Sequence, residues 1–92
     1  MTTYTKQTII TYQEPIDMVT PTYLNNLNIK ATEMLNAGKT NGIYEVINQW
    51  TVKRVWLDQN VADEWVQYVA GISETENVIV TNYHISDNTA PV

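Results

Sequence analysis

Apolar residues in this chain are either grouped in β-branched runs or repeated every three to four positions, and each pattern predicts an element. Two runs, "QTIITY" (7–12) and "NVIVTNYHI" (77–85), are rich in the β-branched and aromatic residues that strands favour. The stretch 43–57 has the same character but exceeds the about five or six residues of an ordinary strand. We divide it near Asn48-Gln49, so the sequence predicts four strands.

Two further stretches carry apolar residues at helical spacing and predict two helices. The first helix begins at Thr20-Pro21, which offers an N-cap hydroxyl and a proline at the first helical position, and it ends at Gly38. The second begins after the N-cap residue Asp58 and ends within a residue of Gly71. Each helix carries an apolar stripe for packing on another surface. The stripes are Leu24, Leu27, Ala31, Met34 and Leu35, and then Val61, Trp65, Tyr68, Val69 and Ile72.

The resulting order, β-α-β-β-α-β, predicts an α+β fold of the ferredoxin-like kind. In that fold a four-stranded antiparallel sheet carries two helices on one face. We expect a single domain over residues 1–92, with an ordered core at about 6–86 and polar tails at Met1–Thr5 and Ser86–Val92. The other sheet face is expected to be rich in Trp, Tyr, Val and Ile and to be buried by pairing in a homodimer.

Charge and composition narrow the range of partners. The chain has a net charge of −5 and no cysteine, and its cations all precede position 58: Lys6, Lys30, Lys39, Lys53 and Arg54. Because phosphate binding needs clustered cations, we expect no nucleic-acid partner. No apolar run approaches the roughly 20 residues of a membrane span, and the N-terminus lacks the apolar core of a signal peptide. The sequence therefore predicts a cytoplasmic protein without a membrane partner.

Residues 53–65, "KRVWLDQNVADEW", place an aromatic residue at a strand end, a capping acid two positions later, and an alanine and a second aromatic residue in an acidic helix. This pattern resembles the third strand and second helix of the dimeric α+β barrel superfamily, which includes the antibiotic-biosynthesis-monooxygenase-like proteins. The matching positions are Trp56, Asp58, Ala62 and Trp65. The resemblance implies a dimer with its two sheets face to face.

The same resemblance implies an apolar pocket between sheet and helices in the members that are cofactor-free monooxygenases or degrade haem. The haem-degrading members add a histidine ligand on a helix. The only histidine of this chain, His84, falls on the last strand and does not match that ligand. No cofactor is expected.

Six residues are candidates for a ligand pocket or an interface: Trp50, Arg54, Trp56, Trp65, Tyr83 and His84. Trp56 and Trp65 either pack the third strand against the second helix or line a pocket with Tyr83 and His84. Arg54 shares a strand face with Trp50 and Trp56, where its guanidinium either pairs with a carboxylate such as Glu45 or binds an anion.

No catalytic residue and no metal ligand is predicted. The chain has three glycines, which form no phosphate-binding loop, and no Cys or His cluster at metal-ligand spacing. The carboxylate pairs Asp63-Glu64 and Glu74, Glu76 are expected to be solvated on a helix rather than to act as acid and base.

Three functions remain open from the sequence. The first is a non-catalytic assembly protein that pairs through its sheet face with copies of itself or with a larger complex. Its acidic composition, rich in Thr and Asn, resembles that of small tailed-phage proteins. Such proteins are virion components or accessory proteins in the host cytoplasm. The second is a small enzyme or ligand-binding protein of the dimeric α+β barrel kind. The third is an acidic inhibitor that mimics nucleic acid.

Overall fold

Four strands and two long helices follow one another in the predicted order, β-α-β-β-α-β. The computed structural model describes residues 4–88; the remaining positions of the expected tails, 1–3 and 89–92, lie outside the described residues. The elements are β1 (Lys6–Tyr12), α1 (Pro21–Asn36), β2 (Tyr44–Asn48), β3 (Thr51–Trp56), α2 (Gln59–Glu76) and β4 (Val80–Asp87), with one 3-10 turn at Ile16–Met18. The strands form one antiparallel sheet in the order β2-β3-β1-β4. The ferredoxin-like α+β fold is thereby confirmed.

The register of the sheet decides which side chains face the helices. In the β1–β3 pair Thr8 lies opposite Arg54 and Ile10 opposite Val52. Residues opposite each other in an antiparallel pair project to the same face. The face under α1 and α2 therefore carries every second residue of both central strands: Lys6, Thr8, Ile10 and Tyr12 from β1 and Val52, Arg54 and Trp56 from β3.

The open face of the sheet is mostly polar, so the expectation of an uncovered face rich in Trp, Tyr, Val and Ile is wrong. Its members are Gln7, Ile9, Thr11, Glu45, Thr51, Lys53, Val55, Asn82, His84 and Ser86. Arg54 and Trp56 share one face of the third strand, as expected, whereas Trp50, expected on the same face, lies in the turn before the strand. The face that carries Trp56 lies against the helices, because that burial removes the most apolar surface from water. The open face thus lacks the apolar surface on which the expected face-to-face dimer was based. That dimer stays a prediction.

Both helices begin where the sequence predicts. Pro21 is the first residue of α1, although the hydroxyl of Thr20 makes no capping hydrogen bond. Asp58 caps α2, and its carboxylate accepts a hydrogen bond from Val61 N at 3.0 Å. Gly38 follows the end of α1 with φ of 75°, a left-handed conformation that glycine adopts without steric cost.

The predicted end of the second helix at Gly71 is wrong, because α2 continues to Glu76. Its left-handed cap is Asn77, with φ of 58°. Beyond Gly71 the side chain of Ser73 is buried and hydrogen-bonded to Tyr23 of α1, so the last turn is held by tertiary packing. A glycine inside a helix costs about 1 kcal/mol, which such packing offsets.

The last strand begins and ends later than predicted. It starts at Val80 and runs to Asp87, so Ser86 and Asp87 belong to the sheet and not to a tail. At this end Lys6 of β1 lies opposite Asp87 and forms an ion pair with it. The strand therefore extends to the first residue of β1, and a backbone hydrogen bond from Asn88 N to Thr5 O continues the pairing beyond it.

Candidate functional site

Trp56 and Trp65 meet in the core between β3 and α2, which is the first of the two alternatives that the sequence leaves open. Their ring centroids lie 4.9 Å apart at an angle of 33°. Trp56 is fully buried and its indole Nε1 donates a hydrogen bond of 2.9 Å to Thr8 Oγ1 on β1. Both rings thus join the sheet to the helix layer.

The structure does not bring His84 together with the other candidates. Its register partner is Ile9, so its imidazole lies on the open face and is exposed. Tyr83, one position earlier, lies opposite Ile10 and faces the helices at the rim of the core. The pocket expected from Trp56, Trp65, Tyr83 and His84 is therefore split between two faces of the sheet.

Arg54 lies on the helix-facing side of β3 among aromatic rings. Its guanidinium carbon is 4.4 Å from the ring centroid of Tyr44 and 5.0 Å from that of Trp65, distances typical of cation–π contacts. Its Nη2 donates a hydrogen bond of 3.3 Å to Asn28 Oδ1 on α1. Burial lowers the pKa of the guanidinium below its ordinary value.

The expected partner of Arg54, Glu45, lies on the opposite face of the sheet. Glu45 is opposite Lys53 in the β2–β3 register, and the Lys53 Nζ to Glu45 Oε1 distance is 3.7 Å. Tyr44 occupies the position across from Arg54 instead. The predicted Arg54–Glu45 pair is wrong because neighbouring residues on a strand project to opposite faces.

Two depressions adjoin Arg54 and Asn28. A cavity of about 120 Å³ lies between the sheet and α1, and its walls are apolar apart from these two residues and the tyrosine rings. A wider cleft of about 200 Å³ lies on the other side, between α1 and the turn before β2. Arg54 and Asn28 thus line both spaces, the apolar one and the more open one.

Three hydroxyl groups form a buried chain that the sequence did not indicate. The hydroxyl oxygens of Tyr12 and Tyr23 are 3.0 Å apart, and that of Tyr23 is 2.9 Å from Ser73 Oγ. Burial raises the pKa of both tyrosines above the ordinary value. The chain joins β1, α1 and α2, so only the tertiary structure reveals it.

Strand β2 is the apolar edge of the sheet. All five of its residues are exposed, and we call the surface formed by its large apolar side chains and those flanking it the edge patch. The edge patch consists of Ile43, Tyr44, Val46, Ile47 and Trp50, which are 42–54 % exposed. Trp50, one of the predicted candidates, lies in the turn between β2 and β3. Sequence patterns locate strands but do not say which strand lies at an edge, so this surface was missed.

Three of the six acidic residues in the second half of the chain contact cations or backbone groups. Glu64 lies 3.1 Å from Lys39 Nζ and 3.6 Å from Lys30 Nζ, and the hydrogen bond from Lys39 is the main cause that lowers the pKa of its carboxyl. Asp58 caps α2 and Asp87 pairs with Lys6. Mimicry of nucleic acid stays a prediction.

Within residues 4–88, no three His, Cys, Asp or Glu side chains are grouped closely enough to hold a metal ion. None of the helices in that range combines the length and the apolar character that crossing a membrane requires.

Comparison with known proteins returned no matching family model, no matching curated protein and no matching solved structure. The superfamily resemblance and the phage origin inferred from the sequence therefore stay predictions.

Proposed function

We propose that this protein is a non-catalytic interaction protein that assembles by pairing its edge strand β2 with β2 of a second copy. The observation that carries the proposal is the edge patch, an apolar surface on a strand with no neighbour on its outer side within the described residues. An edge strand has unpaired N–H and C=O groups that a further strand satisfies. Proteins that stay monomeric usually protect such an edge with lysine, proline or a covering element.

The two edges of this sheet differ in that protection. The exposed side chains of β4 are mainly polar or charged and include Thr81, Asn82, His84 and Asp87. Strand β2 contains a single charge, Glu45, and that carboxylate pairs with Lys53 within the chain. The contrast favours β2 as the edge that pairs.

A second copy is a suitable partner for β2 because the strand is compatible with itself. In an antiparallel pair centred on Val46, each Val46 lies opposite its counterpart and each Glu45 lies opposite Ile47 of the second copy. The two carboxylates then avoid the direct opposition that destabilises cross-strand pairs. Such a two-fold pair makes a continuous sheet of eight strands from two copies of the four-stranded sheet.

The size of the edge patch sets the expected strength of the dimer. A large side chain presents about 200 Å² when it is fully exposed. The five side chains of the edge patch are about half exposed, so they supply on the order of 500 Å² of apolar surface per copy. Two such patches fall below the about 1,200 Å² of the smallest stable interfaces. We therefore expect a weak dimer with a dissociation constant in the micromolar range.

Sedimentation velocity over a concentration series from about 1 µM to about 200 µM tests the proposal. We expect the mass of the wild-type protein to rise from that of one 10.5 kDa chain towards that of two. Val46→Lys, which places a charge in the centre of the patch, and Trp50→Ser are expected to remain monomeric and folded. Asn82→Lys adds the same charge at the β4 edge and serves as the matched control.

Two results would contradict the proposal. One is a wild-type protein that stays monomeric across the whole series. The other is a dimer that Val46→Lys leaves intact or that Asn82→Lys dissociates, because the interface would then lie away from β2.

A further inference from the structure

The cavity beside Arg54 combines an apolar interior with one unneutralised cation. Its apolar walls come from the sheet and α1, with Ile10, Val52, Leu24 and Leu27 as the main aliphatic members and Trp65 from α2 at one side. Arg54 lines the same space, and its guanidinium lies against the rings of Tyr44 and Trp65, which line it too. Mostly apolar walls with few converging polar groups are the usual lining of a small-molecule site.

Arg54 differs from the other cations among the described residues because it has no carboxylate partner there. The four lysines each form an ion pair: Lys6 with Asp87, Lys30 and Lys39 with Glu64, and Lys53 with Glu45. Arg54 has only the amide oxygen of Asn28 and two aromatic faces. A partly buried cation without a counter-charge is costly, and an anionic ligand removes that cost.

Most N–H groups of the guanidinium have no hydrogen-bond partner among the described residues. One of its five N–H groups is engaged by Asn28. No fully buried side-chain nitrogen or oxygen in residues 4–88 lacks a hydrogen-bond partner, so Nε and Nη1 of Arg54, which have none, are not fully buried. Arg54 lines both the apolar cavity and the wider cleft.

We propose that Arg54 and this cavity bind a small monocarboxylate with a branched hydrocarbon body of about four carbons. The planar guanidinium matches the two oxygens of a carboxylate, and the apolar walls take the hydrocarbon. A cavity of about 150 Å³ is known to hold benzene, so the 120 Å³ found here suits a slightly smaller body. A dianion such as phosphate lacks the second cation that it needs. The site does not depend on pairing through β2.

A ¹H–¹⁵N NMR titration with sodium 3-methylbutanoate at constant ionic strength tests the site. A ligand of about seven heavy atoms is expected to bind with a dissociation constant on the order of 1 mM. The shifted amides should cluster at 24–28 and 52–54, with the indole of Trp65. We expect 3-methylbutanamide, acetate and inorganic phosphate each to bind at least about tenfold more weakly, because each lacks either the matching charge or the apolar body.

Two variants and a control complete the test. Arg54→Met keeps most of the side-chain volume and removes the charge, and Leu24→Phe narrows the cavity and keeps the charge. Each is expected to weaken binding at least about tenfold, whereas Lys53→Met, the adjacent cation on the open face, leaves binding unchanged. If Arg54→Met fails to fold, Leu24→Phe decides the result.

The proposal is overturned if no shifts appear by about 20 mM ligand, if the neutral amide, acetate or phosphate binds as tightly, or if a folded Arg54→Met or Leu24→Phe binds like the wild type. A monomeric wild-type protein that binds 3-methylbutanoate would contradict the assembly function alone. A dimer that does not bind it would contradict this site alone.

Discussion

Trp56 Nε1 donates a hydrogen bond to Thr8 Oγ1 at 2.9 Å, and this bond joins the two central strands inside the core. Both residues are almost fully buried, at 0 % and 1 % exposure. A buried donor that loses its acceptor retains the full cost of leaving water. The stability of the sheet therefore depends on the hydroxyl of Thr8, although at so buried a position an apolar residue such as valine would be expected.

Thr8→Val is expected to lower the free energy of unfolding by about 1–3 kcal/mol, because the indole N–H is left without an acceptor. Urea denaturation measures the change. In the background of Trp56→Phe, which has no N–H, the same Thr8→Val change should cost much less. Equal costs in the two backgrounds would mean that the hydrogen bond contributes nothing.

The hydroxyl chain of Tyr12 and Tyr23 predicts a loss of stability at alkaline pH. Burial raises the pKa of both tyrosines, so the folded state keeps protons that the unfolded state releases above about pH 10. The stabilisation is complete below that pH and is lost as pH rises, by up to about 1.4 kcal/mol per pH unit for each tyrosine.

Urea denaturation at several pH values between about 8 and 11 measures this dependence. Tyr23→Phe removes one of the two ionisable groups, and we expect its free energy of unfolding to fall less steeply with pH than that of the wild type. The other ionisable groups are the same in both proteins, so the difference between the two slopes reports the loss of Tyr23 and of its effect on Tyr12. Identical slopes would contradict the prediction.

The two helix N-termini are expected to respond differently to the same kind of substitution, because only one of them has a side-chain cap. Asp58→Ala removes a cap that bonds to Val61 N and is expected to cost about 1 kcal/mol of unfolding free energy. Thr20→Ala serves as the comparison, because its hydroxyl makes no cap hydrogen bond and its loss should change little. Thermal or urea denaturation compares them; a larger loss for Thr20→Ala would be inconsistent with these caps.

The pKa of the Glu64 carboxyl depends on the two lysines that pair with it, Lys30 and Lys39. The Lys39 hydrogen bond holds the pKa of its carboxyl below the ordinary value, so its stabilising contribution is present above the ordinary Glu value and is lost as pH falls through the lowered one. Lys39→Met should raise that pKa, while Lys53→Met, whose lysine pairs with Glu45, should not. Carbon-detected NMR titration of the side-chain carboxyl measures both variants, and a shift in the second variant alone would refute this assignment.

The elements and their order could be predicted because they are encoded locally. Pro21 and Asp58 mark the helix starts, and Gly38 marks the first stop through its left-handed backbone. Alternation along 50–57 also correctly placed Arg54 on the face of Trp56. The end of α2 could not be found in the same way, because the hydrogen bond between Ser73 and Tyr23 holds the turn beyond Gly71.

The sequence by itself determined the ferredoxin-like order and the alternation of faces along the strands, and it offered the packing of Trp56 on Trp65 as one of two alternatives. Only the tertiary structure decided which sheet face lies under the helices, which strand is the exposed edge, and that Arg54 lies opposite Tyr44 while Glu45 pairs with Lys53. The period of two shows which side chains share a face of a strand, but it does not show what packs against each face. Burial, edge position and charge pairing depend on contacts between distant segments, and those exist only once the chain has folded.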